Sequence, residues 1–327
     1  MRIRQITAAL AWLTFSVASD VLPAQPVIPI WGEDAPPYSR AHSVQEYEEP
    51  CWEVICAYQI VNPTLTLYLP EGEPNGVAVV ILPGGGYEAE AVYHEGYEIA
   101  EILSRQGTAA AVLKYRLPNP ETATKPERVP NADVRRALKL LRDKQMELGF
   151  TAEKFGVLGF SAGSHLAAAV SLGRSSNPAE NPDFSMLIYG VTRLTPENRK
   201  WLEETLYHRQ MTPEEIREQT FLKRVAADTP PAFLVHAYDD DTCHFSESTL
   251  YAEALRENGV DVELHLFARG GHGVGPGRKE DGTDQWLNLA ANLLNRLGAG
   301  ESNSGYSIMS NAFCSRLAST FITWIVN

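Results

Sequence analysis

Apolar and polar residues alternate through Thr64-Leu65-Thr66-Leu67-Tyr68-Leu69, the period of a strand with one buried face. From Val77 the pattern changes: Val77-Ala78-Val79-Val80-Ile81-Leu82 is an unbroken apolar run, which predicts a strand covered on both faces. Short apolar strands are predicted again at Ala109 to Leu113, Phe155 to Leu158, Met186 to Tyr189, Ala232 to His236 and Val262 to Phe267. Helical spacing fills the gaps. Val134, Leu138, Leu141 and Leu148 share one helix face, with Asn131 as the expected cap and Gly149 as the stop, and further helices are expected at about 246–258 and 284–297. Strands alternating with crossovers long enough for helices predict an α/β fold over 64–299, with a mostly parallel central sheet and helices on both faces.

Three regions depart from this rhythm. Residues 192–228 are charged and helix-prone, and Thr212-Pro213-Glu214-Glu215 resembles a helix start, so a small helical cap inserted above the sheet is expected there. Residues 26–63 are rich in proline, aromatic and acidic side chains without a period, and read as an irregular N-terminal arm. The tail, 300–327, opens polar and then turns apolar, and its pattern assigns it no role. At the amino end Arg2 and Arg4 precede an apolar stretch from Ile6 to Ala18 and then small residues, the layout of a signal peptide ending near residue 25. Such a leader implies a secreted or periplasmic protein, and its apolar stretch is too short for a membrane span.

Composition narrows the partners. A formal net charge of −13 disfavours nucleic acid and anionic membranes, whose phosphates are met by clustered Lys and Arg. Four cysteines suit an oxidising compartment. Cys51 and Cys56 are near enough to close a small loop, Cys243 and Cys314 read as buried or free, and no His/Cys spacing suggests a metal site.

Gly159-Phe160-Ser161-Ala162-Gly163 lies between a predicted strand and an alanine-rich helix, the setting of a G-x-S-x-G nucleophile elbow. A serine hydroxyl needs a base to take its proton. His272, in the glycine-rich Arg269-Gly270-Gly271-His272-Gly273 loop after a predicted strand, is the candidate. The base in turn needs a carboxylate to fix its tautomer. Asp239, Asp240 and Asp241 all follow the strand ending at His236, which leaves the choice open; Asp240, three residues before Cys243, is favoured by its resemblance to the Asp-x-x-Val of many hydrolases. His236 itself is expected to pack beneath these aspartates. Pro83-Gly84-Gly85-Gly86-Tyr87 follows the first buried strand, and the amides of Gly85, Gly86 and Ala162 are assigned to an oxyanion hole. The loop matches neither nucleotide-binding glycine pattern. Tyr87 and His94 are candidate pocket-lining residues.

With these residues together, the chain resembles the α/β-hydrolase esterases, in particular those related to acetyl xylan esterases and the hormone-sensitive-lipase group. The resemblance spans about 29–298. It rests on Pro29-Ile30-Trp31-Gly32, Asn62-Pro63-Thr64-Leu65, the Pro83 to Tyr87 loop, His94-Glu95-Gly96, Leu113 to Pro118, the serine elbow and Gly270-Gly271-His272-Gly273. The lipase-like loop usually opens with His where this chain has Pro83, which favours the carbohydrate-esterase side. The resemblance implies an α/β-hydrolase fold, cleavage of short acyl esters or acetylated carbohydrate by a serine mechanism, and no metal or cofactor. A serine peptidase of the dipeptidyl or prolyl oligopeptidase type is the nearest alternative, since His236 to Ser248 is similar to their acid loop. A non-catalytic binding module on the same fold is the other.

Overall fold

A computed structural model describes residues 25–299 of the chain. The tail, Cys314 and nearly all of the expected leader lie outside them. In chain order the strands are β1 (Val27–Pro29), β2 (Tyr47–Cys51), β3 (Val54–Tyr58), β4 (Thr64–Tyr68), β5 (Val77–Leu82), β6 (Ala89–Glu90), β7 (Ala109–Lys114), β8 (Lys154–Phe160), β9 (Phe184–Ile188), β10 (Ala232–Ala237) and β11 (Val262–Phe267). The helices are α1 (Glu98–Arg105), α2 (Val129–Lys144), α3 (Ala162–Leu172), α4 (Pro196–Thr205), α5 (Pro213–Gln219), α6 (Ser246–Glu257) and α7 (Gln285–Gly298).

The main sheet has eight strands in the order β1-β4-β7-β5-β8-β9-β10-β11. From β7 to β11 neighbours are parallel, while β1 and β4 join antiparallel at one edge. The unbroken apolar run of β5 has its physical reason here. Val77, Val79 and Ile81 pack with Ile99 and Leu103 of α1 and Trp286 and Leu294 of α7. Ala78, Val80 and Leu82 face the other way, into a core shared with α2, α3 and α6. Both faces are therefore dry, and each fully buried Val, Ile or Leu contributes about 1.5–3 kcal/mol. The parallel arrangement also sends the carboxyl ends of β5, β8, β10 and β11 to one rim, where the loops after them meet.

Several expectations are corrected in detail. Thr66, on the polar side of the β4 alternation, is buried as well, and its hydroxyl bonds Tyr97. The helix expected to be capped by Asn131 begins at Val129 and ends at Lys144, short of Leu148. Pro130 fits the first turn, where a missing N–H costs nothing, and Asn131 instead accepts a hydrogen bond from Arg135. The segment 26–63 is not wholly irregular, for it contains β1 and the hairpin β2–β3, which forms a second sheet with β6. A Cys51–Cys56 disulfide closes that hairpin, and Cys243 is a buried free thiol.

Residues 192–228 supply α4 and α5 between β9 and β10. Thr212 and Glu215 form a reciprocal capping box at the start of α5. Trp201 of α4 reaches down to the loop after β5, where its indole N–H donates to Gly86 O at 3.2 Å.

Candidate active site

Ser161 sits between β8 and α3 with φ 49° and ψ −115°, a conformation that costs a non-glycine residue about 1–3 kcal/mol. The turn is held by close backbone packing. A Cβ on Gly159 would stand 2.2 Å from Gly163 O, and one on Gly163 would stand 2.1 Å from Leu82 O. Only glycine fits either place, which is the physical content of the G-x-S-x-G spacing. The Ser161 amide donates to Ile188 O at 3.0 Å, tying the elbow to the end of β9.

The histidine loop after β11 brings His272 Nε2 to 2.9 Å from Ser161 Oγ. On the other side of the ring, Nδ1 lies 2.8 Å from Asp240 Oδ2. A carboxylate at Nδ1 fixes the proton there, so Nε2 is left to accept from the serine hydroxyl. Asp240 is buried, and its Oδ1 accepts from the amides of Thr242 and Cys243. Burial alone would raise its carboxyl. Hydrogen bonds from His236 and His272, the His272 charge and the Cys243 amide outweigh that and hold it well below the usual carboxylate range. The neighbouring aspartates do other things. Asp239 accepts from the Gly271 amide at 2.8 Å, tying the histidine loop down, and Asp241 is exposed.

His236 lies beneath Asp240. Its Nε2 is 2.7 Å from Cys243 O and 3.3 Å from Asp240 Oδ2, so that nitrogen carries a proton, while Nδ1 meets Ser248 Oγ at 2.8 Å. Asp240 is thus gripped from two sides by imidazoles.

The glycine loop follows β5 directly. A Cβ on Gly84 would stand 2.9 Å from Ser161 Cβ, which places this loop against the elbow. Gly85 (φ 136°) and Gly86 (φ 68°) turn the chain, and a Cβ on Gly85 would lie 2.2 Å from Ala89 O. Among the described residues, the N–H groups of Gly85, Gly86 and Ala162 donate to no protein group.

Tyr87 is buried, with its hydroxyl 2.8 Å from His165 Nδ1 and its ring stacked on Trp201 at 5.6 Å. Together Tyr87 and His165 line a cavity of about 620 Å³ walled by α2, α3 and α5, to which Ser161, Asp240 and His272 contribute nothing. His94 lies elsewhere: its Nε2 is 3.1 Å from Gly273 O, so it braces the histidine loop. Two buried residues at the rim were not foreseen. Glu95 and Tyr189 share a hydrogen bond, and the Tyr189 ring packs edge-on to His272 at 4.9 Å. For Glu95 the signal was present in His94-Glu95-Gly96. For Tyr189 no spacing marks it, since it comes to Glu95 across 94 positions of sequence.

A twisted, mostly parallel sheet of this strand order, with a strained serine after its fifth main strand, an acid loop and a histidine loop on one rim, defines an α/β-hydrolase. The chain belongs to the BD-FAE family, whose model matches residues 65–255. It is 31% identical over 241 residues to an acetylxylan esterase of Xylanibacter ruminicola, a match covering 72% of this chain and 48% of that protein. It is 29% identical to endo-1,4-beta-xylanase B of Butyrivibrio fibrisolvens, covering 65% of this chain and 34% of that one. The chain therefore spans half or less of the length of these two relatives. Among solved structures it is similar to the acetyl ester-xyloside bifunctional hydrolase of Caldicellulosiruptor lactoaceticus. The TM-score is 0.70 at 28% identity, covering 86% of this chain and 99% of that one.

Proposed function

We propose that the protein is a carboxylic ester hydrolase that removes short acyl groups, acetyl above all, from carbohydrate. Ser161 attacks the ester carbonyl carbon while its proton passes to His272 Nε2. Asp240 holds the opposite nitrogen and stabilises the imidazolium. Negative charge gathers on the carbonyl oxygen, which the amides of Gly85, Gly86 and Ala162 receive, each worth a few kcal/mol of barrier. The C–O bond to the alcohol then breaks, and His272 returns the proton to the departing oxygen. A water, deprotonated by His272, cleaves the acyl-serine and restores the enzyme.

The observation that carries this reading is the relay of 2.9 and 2.8 Å from Ser161 through His272 to Asp240, built on a turn that forces the serine outward. The names of the acetylxylan esterase and the acetyl ester-xyloside hydrolase support the acetylated-carbohydrate substrate. Export from the cytosol accords with the Cys51–Cys56 disulfide and the arginine-led apolar leader. The test is Ser161→Ala, assayed on p-nitrophenyl acetate and acetylated xylan and probed with a fluorophosphonate. Turnover and labelling are expected to vanish while the thermal transition stays. Turnover persisting near the parent rate refutes the assignment.

A further inference from the structure

Besides the acid of the relay, Asp240, a second buried carboxyl, Glu95, is joined to His272 through Tyr189, whose hydroxyl bonds Glu95 and whose ring packs on His272. Glu95 lies in a π-helical turn (Val92–Tyr97) and is 5% exposed. Its two oxygens have separate duties. Oε2 accepts from the Gly84 amide at 2.7 Å, directly under the glycine loop. Oε1 accepts from the Tyr189 hydroxyl at 2.8 Å. That hydroxyl in turn accepts from the Gly275 amide at 3.1 Å, in the loop carrying His272. The Gly84 amide can only donate, and the Tyr189 hydroxyl has its own proton to give, so the two carboxyl oxygens serve here as acceptors. Burial raises this carboxyl, against the pull of those two donors and of the nearby His272 and His94 charges.

Resting on the acyl-transfer reading above, we infer that Glu95 is a positioning residue that holds the oxyanion loop and the histidine loop in one frame. With the Gly84 N–H turned inward onto Glu95, the following two amides are left for the substrate. With Tyr189 fixed by Glu95, its ring backs His272 and its hydroxyl anchors the far end of the histidine loop. No other described side chain bonds to both the glycine loop and Tyr189. Trp286 secures the same loop separately by donating to Gly275 O at 2.9 Å, so loss of the strut shifts the loop without releasing it.

Glu95→Gln keeps the volume and breaks the pattern. However the amide is turned, either its NH₂ faces the Gly84 N–H or the Tyr189 hydroxyl proton loses its acceptor. We expect kcat on p-nitrophenyl acetate to fall about 10²-fold with KM within about threefold, the signature of misplaced reacting groups and not of lost binding. Tyr189→Phe, which keeps the ring on His272, should cost about 10-fold, and the double variant no more than Glu95→Gln alone, because both cut one strut. Hydrogen exchange supplies a readout independent of turnover: Glu95→Gln should raise exchange in both 84–91 and 270–277. If Glu95→Gln fails to fold, Tyr189→Phe carries both measurements. A folded Glu95→Gln enzyme with unchanged kcat, costs that multiply in the double variant, or exchange rising in only one segment overturns the strut. A parent inactive on esters overturns only the acyl-transfer reading, with exchange still testing the strut.

Discussion

His165 and His272 are held at the same ring atom and at the same distance, yet they serve opposite ends. Each has Nδ1 2.8 Å from an oxygen, the Tyr87 hydroxyl for His165 and the Asp240 carboxylate for His272. His165 is 2% exposed in the cavity walled by α2, α3 and α5, and burial pushes it down to about 4, so it stays neutral in the working range. His272 has a fixed negative charge on one nitrogen and a hydroxyl on the other. A carboxylate already in place stabilises the imidazolium that forms when such a ring takes a proton in mid-reaction. The phenol beside His165 offers no such charge, which makes that ring a packing element four residues along the chain from the serine.

The comparison breaks most visibly at Asp240. Asp240→Asn removes the charge and favours the wrong tautomer, and should cut kcat by about 10⁴-fold. Asp241→Asn, at an exposed position, should leave kcat within about twofold, so parity between these two variants on p-nitrophenyl acetate defeats the assignment of the acid. The His165 side is tested by stability instead. In the unfolded chain a histidine takes up its proton near pH 6.5, whereas the folded ring resists until about pH 4. Its contribution is therefore whole above about pH 6.5 and drains away as pH falls towards 4. Urea unfolding of the parent at pH 7 and pH 5 should include a drop of about 2 kcal/mol that His165→Phe lacks. An equal drop in both proteins would show the ring to be protonated in the fold. A small effect is expected at Trp201→Phe. It keeps the stack on Tyr87 but loses the hydrogen bond to Gly86 O, worth about 1 kcal/mol, so a kcat change of only a few-fold should result.

What could be read from the chain follows from how local its causes are. The elbow and the glycine loop were legible because steric demands are written in neighbouring residues, glycine at 159, 163, 84, 85 and 86. The run from Val77 to Leu82 was legible because burial on both faces leaves no polar position. Asp240 was separable from Asp239 and Asp241 only by its offset from Cys243, whose amide it accepts. The Glu95–Tyr189 strut was not legible: His94-Glu95-Gly96 marks Glu95, but Tyr189 meets it across 94 positions of sequence and carries no distinctive spacing. The hairpin β2–β3 was obscured by its own chemistry. Trp52 and Glu53 both adopt positive φ at its tip, where a glycine or asparagine would have signalled the turn. Asn131 misled because Asn caps helices well, but Pro130 just before it belongs in a first turn and points to an earlier start.

The elbow has a consequence for engineering. Backbone contacts at Gly159 and Gly163 aim position 161, and no feature of the hydroxyl itself does so. The mounting is thus indifferent to which nucleophilic atom it carries: a thiol installed there would arrive already aimed at the imidazole, and reactivity could be exchanged without rebuilding the frame around it.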